Sequence, residues 1–414
     1  MKFLFDRDTW QEIYGSIRKN KLRTAITIIG VMWGIFLLVV LLGAARGMEN
    51  NFNRLFGNFA TNSVFVWAQS TSEPFKGFQE GKRITLKMSD LDKIKSEIDG
   101  LEFVVPRHQT QGLGTNNFKS GTFGIYGDYP ELDKVEKKDL VFGRFINDND
   151  IKEKKKVCVI ENEIYKQLFD KDEHPIGQYI KINNINYKVV GLYKEGQIKM
   201  GGPQGAIHIP FTTFQQVYNR GDTMGWMMIT GKPGFEITQI EADVKLLLKN
   251  LHDVHPEDNR AFGSFNLGKE IKKFTGFLTG MQFLTWFVGI ATLIAGVFAI
   301  GNILLITVKE RTNEIGIRRA LGAKPWEIKR QIILESVFLT SIAGALGIIF
   351  GGFILMIIDA TIGKGDEPVL TNPTVDIPVI IIAAITLVVL GTLIGMIPAQ
   401  TAVSIKPIDA LRDE

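Results

Sequence analysis

A single cysteine, Cys158, is all that the 414 residues contain, so no internal disulfide can staple the fold, and a chain of this length needs none. The thiol lies in the apolar run Val157-Cys158-Val159-Ile160 and reads as a buried strand residue. Histidine is scarce as well: His108, His174, His208, His252 and His255 stand at no usual metal-ligand spacing with carboxylates. His252 and His255, three apart, read as a solvated pair at a helix end. No nucleophile elbow is present, and no loop of the form Gly, four residues, Gly-Lys-Ser/Thr. Catalysis, a metal and a cofactor are therefore not expected, and any ATP that drives this protein is expected to be hydrolysed by another chain. The excess of positive charge is small, 48 Lys and Arg against 44 Asp and Glu, which argues against nucleic-acid binding over the surface.

The mean hydropathy of +0.09 averages two unlike parts. Four stretches carry no charge: Thr24 to Ala45, Phe274 to Val308, Ser336 to Ile358 and Ile377 to Ile405. Each reaches the roughly 20 residues that a helix needs to cross about 30 Å of hydrocarbon. Ile26 to Leu42 and Ile377 to Leu390 are apolar on every side, unlike the amphipathic helices of a water-soluble core. Four transmembrane helices are predicted. The first is too long for a cleaved signal segment. No Asp, Glu, Lys, Arg or His falls mid-span, which argues against a secondary carrier or ion channel.

Lys and Arg set the orientation. Lys2, Arg7, Arg18, Lys19, Lys21 and Arg23 precede the first span, Lys309, Arg311, Arg318, Arg319, Lys324, Lys329 and Arg330 follow the second, and Lys406 and Arg412 close the chain. Both termini are expected in the cytoplasm of an inner-membrane protein. The predicted order is a cytoplasmic interfacial helix (1–23), a first span (24–45), an extracytoplasmic domain (46–273), a second span (274–308), a cytoplasmic helix (309–331), a third span (332–358), a short outer loop (359–376), a fourth span (377–399) and a tail (400–414). Trp10, Ile13, Tyr14 and Ile17 would put the first helix on the lipid surface. Small residues four apart, Gly30 and Gly34, Ala295 and Ala299, Gly347 and Gly351, Gly391 and Gly395, would let the spans pack closely.

The insert mixes helix and strand. Met48, Phe52, Leu55 and Phe59 after the first span, and Leu267, Ile271, Phe274 and Leu278 before the second, repeat at helical offsets and predict paired stalks. Ser89 with Asp92 resembles a capping box opening a helix that Gly100 ends. Strands are predicted at Phe103 to Val105, Val157 to Ile160 and Trp226 to Thr230, and a hairpin within Tyr179 to Leu192 turns at Asn183-Asn184. Ile237 to Leu251 reads as an amphipathic helix. The fold class is an α-helical membrane protein with four spans and a large extracytoplasmic α+β domain between the first and second.

The densest motif follows the second span: Glu310-Arg311-Thr312-Asn313-Glu314-Ile315-Gly316-Ile317-Arg318-Arg319-Ala320-Leu321-Gly322-Ala323. As a helix it places Glu314 one turn before Arg318, the favourable order for an ion pair. A short charged helix under the membrane suits docking on a partner.

From Gly276 to Ala323 the chain resembles the second span and cytoplasmic helix of MacB-type, FtsX-like ABC transporter permeases. Further matches fall in order: Asn20-Lys21-Leu22-Arg23-Thr24, Gly143-Arg144-Phe145, Pro175-Ile176-Gly177, Val189-Val190-Gly191 and Pro407-Ile408-Asp409-Ala410-Leu411-Arg412. The resemblance implies a dimer with a second permease copy or paralogue, bound to separate ABC ATPase subunits. It makes Glu310, Arg311, Glu314, Arg318 and Arg319 the ATPase-coupling residues, with Arg311 and Arg319 facing the ATPase. Motion would pass along the stalks to the outer domain for export or extraction, with a periplasmic adaptor and an outer-membrane channel as further partners beside membrane lipid. A signal transmitter acting on a cell-wall hydrolase is the alternative. Two departures stand out: only about twenty residues precede the first span, where macrolide exporters carry a fused ATPase domain, and Pro398-Ala399 is followed by Gln400-Thr401 rather than two arginines.

Overall fold

The computed structural model describes residues 11, 15, 21–171, 173–194, 205–363 and 369–404. The interfacial helix expected from Trp10, Ile13, Tyr14 and Ile17, and the tail motif Pro407 to Arg412, lie outside them. In chain order the main helices are α1 (Lys21–Phe56), α2 (Met88–Glu97), α3 (Ile237–Leu251), α4 (Leu267–Glu310), α5 (Thr312–Ala320), α6 (Pro325–Thr361) and α7 (Ile377–Ser404). The chain divides into two compact units, one of residues 1–51 and 276–414, the other of residues 52–275.

In the first unit α1, α4, α6 and α7 are each long and apolar enough to cross a membrane. Helices in lipid gain little from apolar burial against each other, so their association depends on close backbone approach. Glycines provide that approach where they face a neighbour. A methyl group on Gly391 of α7 would lie 2.6 Å from the Thr340 hydroxyl oxygen of α6, and one on Gly395 would lie 2.8 Å from Ser336 Cβ. Ser336 Oγ also donates to the Gly391 carbonyl at 2.7 Å. Gly347 and Gly351 of α6 abut Ile35 and Val39 of α1, and Gly34 of α1 abuts Thr292 of α4. Gly30 meets nothing within 4 Å, and Ala295 and Ala299 point outward from α4. The close contacts on that helix are made by Gly289 against Leu38, Gly296 against Val31 and Gly301 against Ile394.

The second unit is built on one ten-stranded sheet. Its strands are β1 (Ser63–Ala68), β3 (Leu101–Asn116), β4 (Lys119–Asp128), β5 (Leu140–Gly143), β6 (Val157–Glu161), β7 (Tyr179–Ile182), β8 (Ile185–Tyr193), β9 (Ala206–Pro210), β11 (Trp226–Gly231) and β12 (Phe262–Asn266). They run in the order β12-β1-β11-β3-β4-β9-β6-β8-β5, with β7 pairing β3 and β8, while β2 (Leu86–Lys87) and β10 (Thr223–Met224) pair separately. Side chains alternate between faces along each strand. Val64, Val66 and Ile229 accordingly meet Leu91 and Ile94 of α2 and Ile240 and Val244 of α3 in one core. Cys158, Ile160 and Ile207 meet Phe123, Val189 and Phe214 in a second. The intervening Phe65, Val159 and Met228 face the other side and share a third core with Val105, Leu132 and Tyr193.

That third core holds charge. Arg107 follows Val105 by two residues and so shares its face; its Nε donates to Asp128 Oδ1 at 2.5 Å, and its guanidinium lies over the Tyr126 and Trp226 rings. Glu136 lies 3.4 Å from Arg107 Nη1 and is also paired with Lys138. His208 joins Asp128 through Nδ1 and contacts the Tyr193 hydroxyl through Nε2 at 3.0 Å. Taking charge out of water is costly, and this cluster offsets the cost by pairing.

Locally, α2 opens earlier than the Ser89-Asp92 reading expects. Lys87 is the N-cap residue, and its N–H donates to Asp90 Oδ2 at 2.8 Å. Asp90 also accepts from His252 Nε2 at 2.8 Å, so His252 is tied to a carboxylate rather than solvated. Gly100 (φ +78°) turns the chain into β3, a conformation that glycine adopts without a Cβ clash. Asn183 and Asn184, at φ 44° and 71°, form the tight turn between β7 and β8, where Ile182 pairs with Ile185. Phe52 and Phe274 stack at 4.1 Å. Phe59, expected on the same helix as Phe52, lies beyond its end and bridges Glu136.

Candidate coupling surface

The segment after α4 folds as a short helix of its own, because the sequence supplies a stop and a restart. Thr312 Oγ1 donates to the Lys309 carbonyl at 2.8 Å, while Arg311 stands at the N-cap position of α5 without a capping bond from its side chain. At the far end Gly322 takes φ +102°, its N–H donates to Arg319 O at 3.1 Å, and the Ala323 N–H donates to Arg318 O at 3.0 Å. That pair of bonds is the Schellman arrangement, in which a left-handed residue satisfies the last carbonyls of a helix. Pro325 then starts α6, with Glu327 accepting from the Lys324 N–H at 3.2 Å. The predicted helix 309–331 is thus two elements, and α6 begins before the predicted third span.

α5 is fixed to the bundle by its inward face and by charge. Ile315 packs with Val308, Ile328, Ile332, Ala399 and Ala402. Arg319 Nη1 donates to the Val403 carbonyl, at the end of α7, at 2.6 Å. Arg23 at the start of α1 reaches Glu310 at the end of α4, 3.2 Å apart. Glu314 receives Arg318 at 2.8 Å, as the one-turn spacing predicts, and Arg311 stands 3.9 Å from the same carboxylate. Beneath the helix a cavity of about 40 Å³ is bordered by Arg311, Arg318, Gln331 and Glu335. Glu335 is buried within α6, inside the predicted third span (332–358) and one residue before the charge-free run that starts at Ser336.

The outward face differs from the sequence-based expectation. Arg311 and Arg319 are half-buried; Asn313, Glu314, Ile317, Ala320 and Leu321 are exposed. They recur at the spacing of one helical face. Leu321 is 83% exposed, Trp326 64% and Ile317 45%, a concentration of large apolar side chains beside a charged helix that marks an interaction site more often than a solvated loop. The sequence carried a signal in Ile317 and Leu321, four apart, but Ile315 offered an equally apolar alternative face. Among the described residues no group of His, Cys, Asp and Glu could hold a metal ion.

Residues 24–247 match the MacB-like periplasmic core domain and residues 286–407 match the FtsX-like permease C-terminal domain. The chain belongs to the MacB-type, FtsX-like permeases, and its four apolar helices are membrane spans. Among curated relatives it is 25% identical over 405 residues to the macrolide export ATP-binding/permease protein MacB of Bdellovibrio bacteriovorus, covering 97% of this chain and 61% of that one. It is 24% identical over 424 residues to the pyoverdine export ATP-binding/permease protein PvdT of Pseudomonas syringae pv. syringae, covering 99% and 61%. The chain thus spans about 60% of the length of the curated relatives it matches. Among solved structures, the periplasmic region of MacB from Actinobacillus actinomycetemcomitans matches with a TM-score of 0.43 at 21% identity, covering 53% of this chain and 95% of that one.

Proposed function

We propose that this chain is the permease of an ABC transporter that takes its energy from a separate ATPase subunit and moves its extracytoplasmic domain to export or extract a substrate. The outward Ile317-Leu321 face of α5, held to the bundle by Arg319 and Ile315, is the observation that carries this reading. A docked partner on that face would push on a helix anchored to the ends of α4 and α7, so its closure would reach the spans. The relatives' names pair ATP binding and permease in one protein, whereas these 414 residues contain no phosphate-cradling loop. Glu310, Arg311, Glu314, Arg318 and Arg319 act in this reading mainly as positioning residues, and the apolar pair supplies the contact. The complex contains a second permease copy or a paralogue, and a periplasmic adaptor with an outer-membrane channel would complete an export path. The termini and α5 lie in the cytoplasm, as the Lys and Arg distribution favours.

The test is to replace Ile317 and Leu321 together by Asp and to copurify the chain with its ATPase from native membrane. Binding and permease-dependent stimulation of ATP hydrolysis should fall at least tenfold, with the amount of folded permease unchanged. Undiminished stimulation would remove α5 as the coupling surface.

A further inference from the structure

At the end of the bundle opposite α5, the first unit contains a cavity of about 380 Å³, within the size range of small-molecule sites. Val39 of α1, Leu355 of α6 and Val375 and Ile380 at the approach to and start of α7 give it apolar walls. The loop that closes it is fastened to α1. The Thr371 N–H donates to Gly47 O at 3.1 Å, and Asn50 Nδ2 donates to the carbonyls of Thr371 and Asn372 at 3.2 and 3.1 Å. The wall is therefore built into the fold rather than left by loose packing. Gly352 lines the cavity, and a Cβ added there meets nothing within 4 Å.

Among the described residues the ionisable group in the lining is Asp359, half-buried in the last turn of α6, where it accepts from the Asn372 N–H at 3.1 Å. A helix C-terminus carries partial negative charge, and the carboxylate adds to it. The mouth of the cavity thus favours a cation and disfavours an anion, while its walls favour hydrocarbon.

We infer that this cavity holds one acyl chain of a phospholipid whose headgroup ammonium pairs with Asp359. The inference rests on the reading of α1, α6 and α7 as membrane spans, since only then is lipid the medium around the mouth. Charge complementarity selects an ethanolamine headgroup over an anionic glycerol headgroup. Such a lipid would brace the loop Thr371 to Val375 against α1 and α6.

The full chain, purified in mild detergent and mixed with equal amounts of phosphatidylethanolamine and phosphatidylglycerol, can be read by native mass spectrometry. The unmodified protein should retain the ethanolamine lipid severalfold over the glycerol lipid. Gly352→Trp, which fills the cavity, should lower retained lipid at least fivefold, and Gly352→Ala should not. Asp359→Asn keeps an acceptor for Asn372 and should erase the headgroup preference while leaving a chain bound. Equal retention by folded Gly352→Trp, or preference for the anionic lipid, overturns the inference. A chain released from membranes by alkaline carbonate would instead sink the spanning assignment, and this site with it.

Discussion

His208 Nδ1 stands 2.6 Å from Asp128 Oδ2, and neither side chain is more than 1% exposed. The two come from β9 and β4, neighbouring strands of the sheet. Arg107 approaches the same carboxylate from β3, so one buried anion gathers three strands.

The pair should make the outer domain acid-sensitive. Burial is the largest influence on His208 and, only partly offset by its bond to Asp128, holds its pKa below the ordinary 6.5. Burial acts to raise Asp128, but the charge of Arg107 and the bond from His208 outweigh it and hold that pKa below 3.8. In both cases the unfolded chain binds protons more readily than the folded one, so stability is full at neutral pH. It should fall first as pH drops below about 6.5, and again below about 4. Thermal unfolding of the full chain from pH 8 to pH 2 should show this, with the upper step smaller in His208→Gln, where His108, also held below 6.5 by burial, keeps the remainder. An unchanged upper step in that variant would exclude His208 as its source.

Removing one partner of a buried ion pair leaves the other uncompensated. Asp128→Ala should cost about 3 to 5 kcal/mol, whereas Arg107→Met with Asp128→Leu should recover much of that loss. The comparison is read from denaturation midpoints of the single and double variants; a double variant as unstable as the single one would argue against a charge-based origin.

The close approach of α6 and α7 predicts a steric penalty. Gly391→Ala puts a methyl 2.6 Å from Thr340 Oγ1, and overpacking of this kind costs about 1 to 3 kcal/mol. Thr340→Ala in the same chain should relieve it. Gly30→Ala, in open space, should be neutral or stabilising by up to about 1 kcal/mol. Equal effects at Gly391 and Gly30 would contradict the packing described.

The hairpin turn gives a backbone test. Asn183 and Asn184 both adopt positive φ, which costs most L-residues roughly 1 to 2 kcal/mol. Asn184→Gly should be neutral or stabilising and Asn184→Val destabilising by about that amount, measured by thermal unfolding. The reverse order would refute the turn.

How far the sequence was readable follows from the range of the interactions. Charge-free runs and the Asn183-Asn184 turn depend on neighbours along the chain, and both were legible. The start of α2 was misread because Asp90 caps Lys87 from the third helical position, a role that the nearby Ser89 and Asp92 also fit by type. Arg107, Asp128, Glu136, Lys138, Tyr193 and His208 are scattered over a hundred residues, and nothing local shows that β3, β4, β8 and β9 gather them. At α5 the helix was legible but its rotation was not: the inward turn of Arg319 depends on the Val403 carbonyl, more than eighty residues away.

The outer domain has two helix-covered cores on one side of its sheet, and one strand, β3, runs beneath both. β11 pairs with Leu101 to Arg107 of β3 and β4 with the following His108 to Asn116, so the two halves are joined end to end along one strand and each can open its backbone amides without exposing an edge of the other. Amide hydrogens should therefore exchange with solvent in two groups, those of β11 with the first half of β3 and those of β4 and β9 with its second half, each at a rate set by the opening of its own half.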